Sequence, residues 1–295
     1  MRKQIKTVVI HAAVLALWAI VVPPTFAGLV GRIVVAGYGP ELPVMQDLGR
    51  AFEKANPGTA IDFEWDRTVK AAEMVKSGEA HVAVTDKPDP GLKTIPMAWD
   101  GLAVIVNFAN PVREVTSSQV KDLFTGKIRK WSELDGPNQT VEVLSRAPQD
   151  NVQSGFETSL GIEGQFRSPE KPVRTDEKVL RAVSGRDTAV TFISLTAALK
   201  AQADGIPIRV LTVDKVEAGQ PTVKSGQYKL RRPVLLLTSQ SPNALTKAFV
   251  DFATSAEGQN IYQSTFVPRE PASTEATIPP GRLADDKNMS DKKRS

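Results

Sequence analysis

The chain has 295 residues, 41% of them hydrophobic and 24% charged, with 6% aromatic side chains and no cysteine. This is the composition of a globular protein with core enough for one large domain or two lobes, and it excludes disulfides and a lipid attached at a leader cysteine. The formal charge of +4 owes much to Arg2, Lys3 and Lys6 at the N-terminus; no Lys/Arg stripe with interleaved aromatics follows, so nucleic acid is not an expected partner.

Residues 1–27 read as a secretory signal. Arg2, Lys3 and Lys6 form a basic start, Val8–Val22 is apolar, and Thr25-Phe26-Ala27 places small residues where signal peptidase inspects them. The apolar stretch falls short of the roughly 20 residues of a membrane span. The expectation is a cleaved signal and a product free in the periplasm, with no stable membrane anchor. Next, Arg32–Ala36 is a β-branched run suited to a buried parallel strand. Gly37-Tyr38-Gly39-Pro40 turns into a helix over Glu41–Ala55, with Pro40 at the first helical position, where its missing N–H costs nothing. Asn56-Pro57-Gly58 stops it. Ala60–Trp65 reads as a strand, Thr68–Ser77 as a helix closed by Gly78, and Ala80–Thr85 as a third strand. This alternation predicts a parallel sheet with helices on both faces.

Leu102–Asn107 is a further apolar strand, and Ser117 or Ser118 caps a helix through Phe124. Val141–Leu144 reads as a strand and Val152–Leu160 as a helix; Val179–Val183, Ala189–Ile193 and Ile208–Val213 continue the alternation. Val234–Leu237 is a late strand, followed by a helix over Asn243–Ser255 with Leu245, Phe249 and Phe252 inward. The segment 269–295, rich in Pro, Ser, Asp and Lys without apolar periodicity, is expected to be a disordered tail.

Catalytic chemistry has few residues to work with. One of the two histidines, His11, lies in the leader, and the other, His81, sits beside Val82-Ala83-Val84 as a packed or solvent-facing side chain. Zinc with its usual ligands is not expected, nor is a hydrolase triad, since no G-x-S-x-G elbow is present. The expectation is a chain without catalytic residues, metal or cofactor.

The stretch VKDLFTGKIRKWSELDG at Val120–Gly136 resembles a signature of the periplasmic phosphate-binding-protein family, the solute receptors of ABC importers. AVTDKP at Ala83–Pro88, SGQYKLRRPVLLLTS at Ser225–Ser239 and SAEGQNIYQSTFVP at Ser255–Pro268 agree with it in order, so the resemblance covers most of Arg32–Pro268. It implies an α/β, two-lobed periplasmic-binding-protein fold of type II, each lobe a mostly parallel sheet flanked by helices. Lobe I would comprise 28–107 with 232–268, and lobe II 108–231. It further implies reversible capture of a small anion between the lobes, with phosphate the leading candidate, and delivery to an ABC permease in the inner membrane.

Carried over residue by residue, the resemblance places Tyr38, Gly39, Thr68, Thr85, Asp86, Arg146 and Asp150 at the ligand. Strand-to-helix turns suit anions because they present free N–H groups and the positive end of a dipole. The turns here depart from the family pattern. Tyr38 and Pro40 replace Ser/Thr hydroxyls at the first, although the Tyr38 hydroxyl still donates. Asp66-Arg67-Thr68 replaces a Ser/Gly-rich second turn; Thr68 reads first as a helix cap and second as a ligand contact. Asp86 matches a carboxylate that accepts a proton from protonated phosphate, or is a turn residue before Lys87-Pro88. Arg146 matches the family arginine that pairs with the anion, and Phe156 keeps the register.

Asp150 stands where a serine donates in that family. It is either an N-cap or a second carboxylate in the cleft, and both readings oppose phosphate: like unit charges about 4 Å apart repel by roughly 4 kcal/mol at an effective dielectric near 20. The set Asp66, Arg67, Asp86, Arg146 and Asp150 equally suits a ligand with cationic and anionic ends, or no small ligand. A receptor for a different solute, and a divergent periplasmic protein that binds a partner without transport, therefore stay open. Phe124 and Trp131 read as packing residues, and Arg231 and Arg232 as hinge or surface residues.

Overall fold

The computed structural model describes residues 29–66, 68–146, 150–167, 172–173 and 175–269. The expected signal 1–27, Arg67 and the tail from 270 onward lie outside the described residues. In chain order the elements begin with β1 (Gly31–Gly37), α1 (Leu42–Ala55), β2 (Thr59–Trp65), α2 (Ala71–Ser77), β3 (Val82–Thr85) and the 15-residue β4 (Lys93–Asn107). Next come β5 (Glu114–Val115), α3 (Ser117–Phe124), β6 (Glu142–Val143), α4 (Asn151–Leu160), α5 (Asp176–Ser184), β7 (Ala189–Ser194) and α6 (Leu195–Ala203). The remainder is β8 (Ile208–Val210), β9 (Thr212–Val213), α7 (Gln220–Ser225), β10 (Arg231–Thr238), α8 (Ala244–Thr254), α9 (Ala256–Tyr262) and β11 (Val267–Pro268).

The main sheet runs β2-β1-β3-β10-β4-β7-β6. β1 pairs in parallel with β2 and β3, and β6 with β7, as strand–helix–strand alternation requires. β4 and β10 cross the middle antiparallel to each other, Arg232 opposite Asp100. Buried apolar side chains gather around the two ends of this sheet. Ile33, Met45, Leu48, Phe52, Phe249 and Tyr262 belong to one core, with α2 and Val75 covering the opposite face of its strands. Val104, Phe124, Trp131, Phe156, Val179 and Phe192 belong to the other. β4 links them: Met97 and Ala98 join the first core, and Leu102 to Val106 the second. No helix among the described residues is long and apolar enough to cross a membrane.

Local chemistry explains where the site-bearing helices begin. Thr116, not Ser117 or Ser118, caps α3, because its hydroxyl accepts from the Gln119 N–H at 3.1 Å while the Gln119 side chain accepts from the Thr116 N–H at 2.7 Å. α1 starts two residues after Pro40, so Pro40 lies ahead of the cap, Glu41, and Pro43 takes the early helical position instead. Phe124 and Trp131 are fully buried as packing residues. Phe156 of α4 stacks on Phe192 of β7 at 3.8 Å and meets Phe124 edge-on at 4.8 Å, which fixes α4 over the sheet.

Candidate functional site

The turn after β1 builds the first half of the site. Gly39 sits at a φ of 124°, a conformation that side-chain-bearing residues rarely adopt. A Cβ there would also meet Glu41 Oε2 at 2.6 Å. The Trp65 indole N–H holds the turn by donating to the Gly39 carbonyl at 3.1 Å. Glu41 makes no side-chain capping bond. Its carboxylate turns inward instead, 2.6 Å from Arg232. Arg232, wholly buried, donates through Nε and Nη2 to Asp100 at 3.1 and 2.9 Å, and the Ser194 hydroxyl adds a 2.7 Å bond to the same oxygen. Burial pushes the Glu41 and Asp100 carboxyls up, and Arg232 holds them down in part. Burial also works against the Arg232 charge, but Glu41 and Asp100 outweigh it and keep the guanidinium protonated beyond its ordinary range.

The second half is centred on Arg146, whose side chain is 4% exposed. Nη2 meets Asp150 at 2.8 Å and Nη1 meets Asp176, the first residue of α5, at 2.5 Å. Asp150 fills both roles expected of it: its other oxygen accepts the Val152 N–H at 2.8 Å and so caps α4. Burial opposes the Arg146 charge, and the two carboxylates more than restore it. The helix terminus and the arginine that would greet an external oxyanion are thus already served by the protein's own carboxylates.

Two adjoining cavities flank these groups. One of about 390 Å³ is lined by Tyr38, Gly39, Arg146, Asp150, Thr175 and Asp176, among others. The other, of about 560 Å³, is lined by Tyr38, Thr68, Lys70, Glu73, Thr85 and Asn151, among others. Tyr38 borders both. The Asn151 amide, at the start of α4, donates to the Tyr38 carbonyl and bridges the two halves. α4 itself rests on β10 so closely that a Cβ on Gly155 would come within 2.5 Å of the Arg232 Cβ. Among the described residues, no group of three or more His, Asp or Glu is placed to hold a metal ion.

A family model described as a PBP superfamily domain matches residues 23–257. The chain belongs to that family. Among curated proteins it is similar to the phosphate-binding protein PstS 2 of Streptococcus agalactiae, 33% identical over 110 residues, or 35% of this chain and 38% of that protein. The match therefore spans well under half the length of that relative. It is also similar to the phosphate-binding protein PstS of Bacillus subtilis, 22% identical over 239 residues, or 78% of this chain and 77% of that one. Among solved structures, a phosphate ABC transporter substrate-binding protein from Clostridium perfringens with bound phosphate superposes with a TM-score of 0.70 at 25% identity, over 81% of this chain and 100% of that chain. The fold is accordingly the two-lobed α/β architecture of type II periplasmic binding proteins.

Within this PBP domain the anticipated site residues divide. Tyr38, Gly39, Arg146 and Asp150 line the smaller cavity, and Tyr38, Thr68 and Thr85 the larger. Thr68 does not cap α2, whose cap is Lys70; it bonds back to Asp66 Oδ1 through its N–H and hydroxyl at 2.9 and 2.8 Å. Asp86 is buried and adds its charge to the field at Arg232, whereas Arg146 answers to Asp150 and Asp176. His81 is packed, its Nδ1 accepting the Val34 N–H at 3.1 Å. Arg232 is no surface residue but the centre of a buried ionic cluster. Glu41, Asp100 and Asp176 escaped the sequence reading. For Asp100 a signal existed: a lone carboxylate inside the apolar run Met97–Val106 demands a buried partner.

Proposed function

We propose that this chain is a periplasmic solute-binding protein, exported by a signal cleaved after Ala27, that captures a small polar solute between its lobes and presents it to an ABC permease. Residues 28–107 with 232–268 form one lobe and 108–231 the other, with β4 shared between the two cores, Leu102–Val106 packing with the second. The action is reversible binding and involves no catalysis. Phosphate is the reference anion, by similarity to relatives named for it. The observation that carries the reading is the double pairing of Arg146: an incoming oxyanion competes for its Nη groups with Asp150 and with Asp176, the more exposed of the two at 26% against 4%. Phosphate binding is therefore weak, and the carboxylates set how weak.

Titration calorimetry of refolded, ligand-free protein tests this. Asp176→Asn and Asp150→Ser are each expected to strengthen phosphate binding at least about tenfold, and Arg146→Ala to weaken it by a similar factor, since a charge-assisted hydrogen bond contributes roughly 1.5–3 kcal/mol. Tight wild-type binding that neither carboxylate substitution alters would refute the competition reading. A second reading, a non-transporting interaction protein, draws support from the bridge between Asn151 and Tyr38, which joins the two sides of the cleft directly. Silence toward phosphate, sulfate and a metabolite panel by wild type and all three variants alike would favour it.

A further inference from the structure

Successive residues of a strand point to opposite faces of the sheet, and the paired strands β4 and β10 use this to carry charge on both sides. Asp100 and Arg232 face the buried cluster. Their neighbours Trp99 and Arg231 meet on the other side, the Arg231 guanidinium carbon 4.1 Å from the Trp99 ring centre. Arg269, just past β11, approaches the same ring at 4.9 Å. Here a groove of about 580 Å³ opens, lined by Trp99, Pro221, Lys224, Ser225, Pro268 and Arg269. Arg231 Nη1 donates to the Val223 carbonyl at 2.6 Å, which ties the guanidinium to α7, the helix that supplies Pro221, Lys224 and Ser225 to the groove.

Two guanidiniums on one indole gain from its π-face but repel each other. Among the described residues no carboxylate forms an ion pair with Arg231 or Arg269. Burial, and then the nearby Arg269 charge, hold the Arg231 pKa below the ordinary arginine value. The groove lies in the size range of small-molecule sites, about 300–1,000 Å³. Its lining combines the proline rings of Pro221 and Pro268 with the Arg269 guanidinium, a fork that matches carboxylates in bidentate geometry.

We propose that this groove is a second anion site, distinct from the interlobe cleft, that takes a small di- or tricarboxylate. One carboxylate pairs with Arg269 in the groove, with the Arg231 charge on the same indole adding to its field, and the hydrocarbon body lies against Pro221 and Pro268. The full chain is titrated with citrate by calorimetry, as wild type, Arg231→Gln, Arg269→Gln and Arg146→Ala, each first shown by circular dichroism to be folded. Wild type is expected to show one citrate event, weakened at least tenfold by Arg269→Gln and by Arg231→Gln and unmoved by Arg146→Ala. Arg269→Gln carries the test should Arg231→Gln unfold, because the Arg269 side chain lies on the indole without fixing α7. No citrate event in wild type, an event unchanged in Arg269→Gln, or one lost in Arg146→Ala would overturn the proposal. The last outcome would assign citrate to the cleft instead.

Discussion

Arg146 and Arg232 each hold a full positive charge almost out of reach of water, and each does so with a pair of carboxylates. An ion removed from water loses solvation worth several kcal/mol, so such a charge persists only where partners surround it. Around Arg232 the arrangement leaves a mark on pH dependence. The folded-state pKa of Glu41 lies above its ordinary value of 4.5, chiefly because of burial. Its contribution to stability is therefore complete below 4.5 and is lost as pH rises through the raised folded value. Asp100 has the same sign. Urea midpoints measured from neutral pH down toward 4.5 should show a rise in wild type that is flattened in Glu41→Gln. Parallel slopes in the two proteins would mean that Glu41 ionises as it does in the unfolded chain.

At the level of elements, α4 is the piece on which the cleft depends. Its N-terminus carries Asp150 and Asn151, and its flank rests on Arg232 where Gly155 leaves room. Gly155→Ala is expected to cost about 1–3 kcal/mol, the usual range for overpacking, read as a lower urea midpoint; because the clash is with Arg232, it should also disturb the Glu41 and Asp100 contacts. Much of this level was legible in the chain. Met45, Leu48 and Phe52 at helical spacing announce α1, and the β-branched run Ile33–Val35 announces β1. The errors fall at helix starts. Thr116 displaced Ser117 because a reciprocal side-chain bond with Gln119 was available three residues on, and Thr68 failed as a cap because Asp66 claimed both of its donors.

For the whole molecule, one direct bond ties the two sides of the candidate site together. The Asn151 amide reaches the Tyr38 carbonyl across 113 positions of sequence. Asn151→Ala removes a bond worth about 1 kcal/mol, enough to shift an open–closed balance roughly fivefold. Small-angle scattering of the ligand-free variant should give a larger radius of gyration than wild type; identical curves would remove Asn151 from the balance. The same distances explain why only part of the site could be read in advance. Arg146 and Asp150 are four residues apart, and the family register singles them out. Arg232 and Asp100 are separated by 132 positions, so their meeting depends on how β4 and β10 align, which no local spacing encodes.

The path of β4 and β10 also bears on how the polypeptide assembles. β10 lies between β3 and β4 in the sheet, so the strands made first stay incomplete until one of the last arrives. The middle stretch, by contrast, has nearly all of its own core by residue 230. A nascent chain should therefore consolidate from its centre outward. The earliest segment waits, with its apolar strands unpaired at one edge, for a carboxy-terminal stretch that has yet to be synthesised.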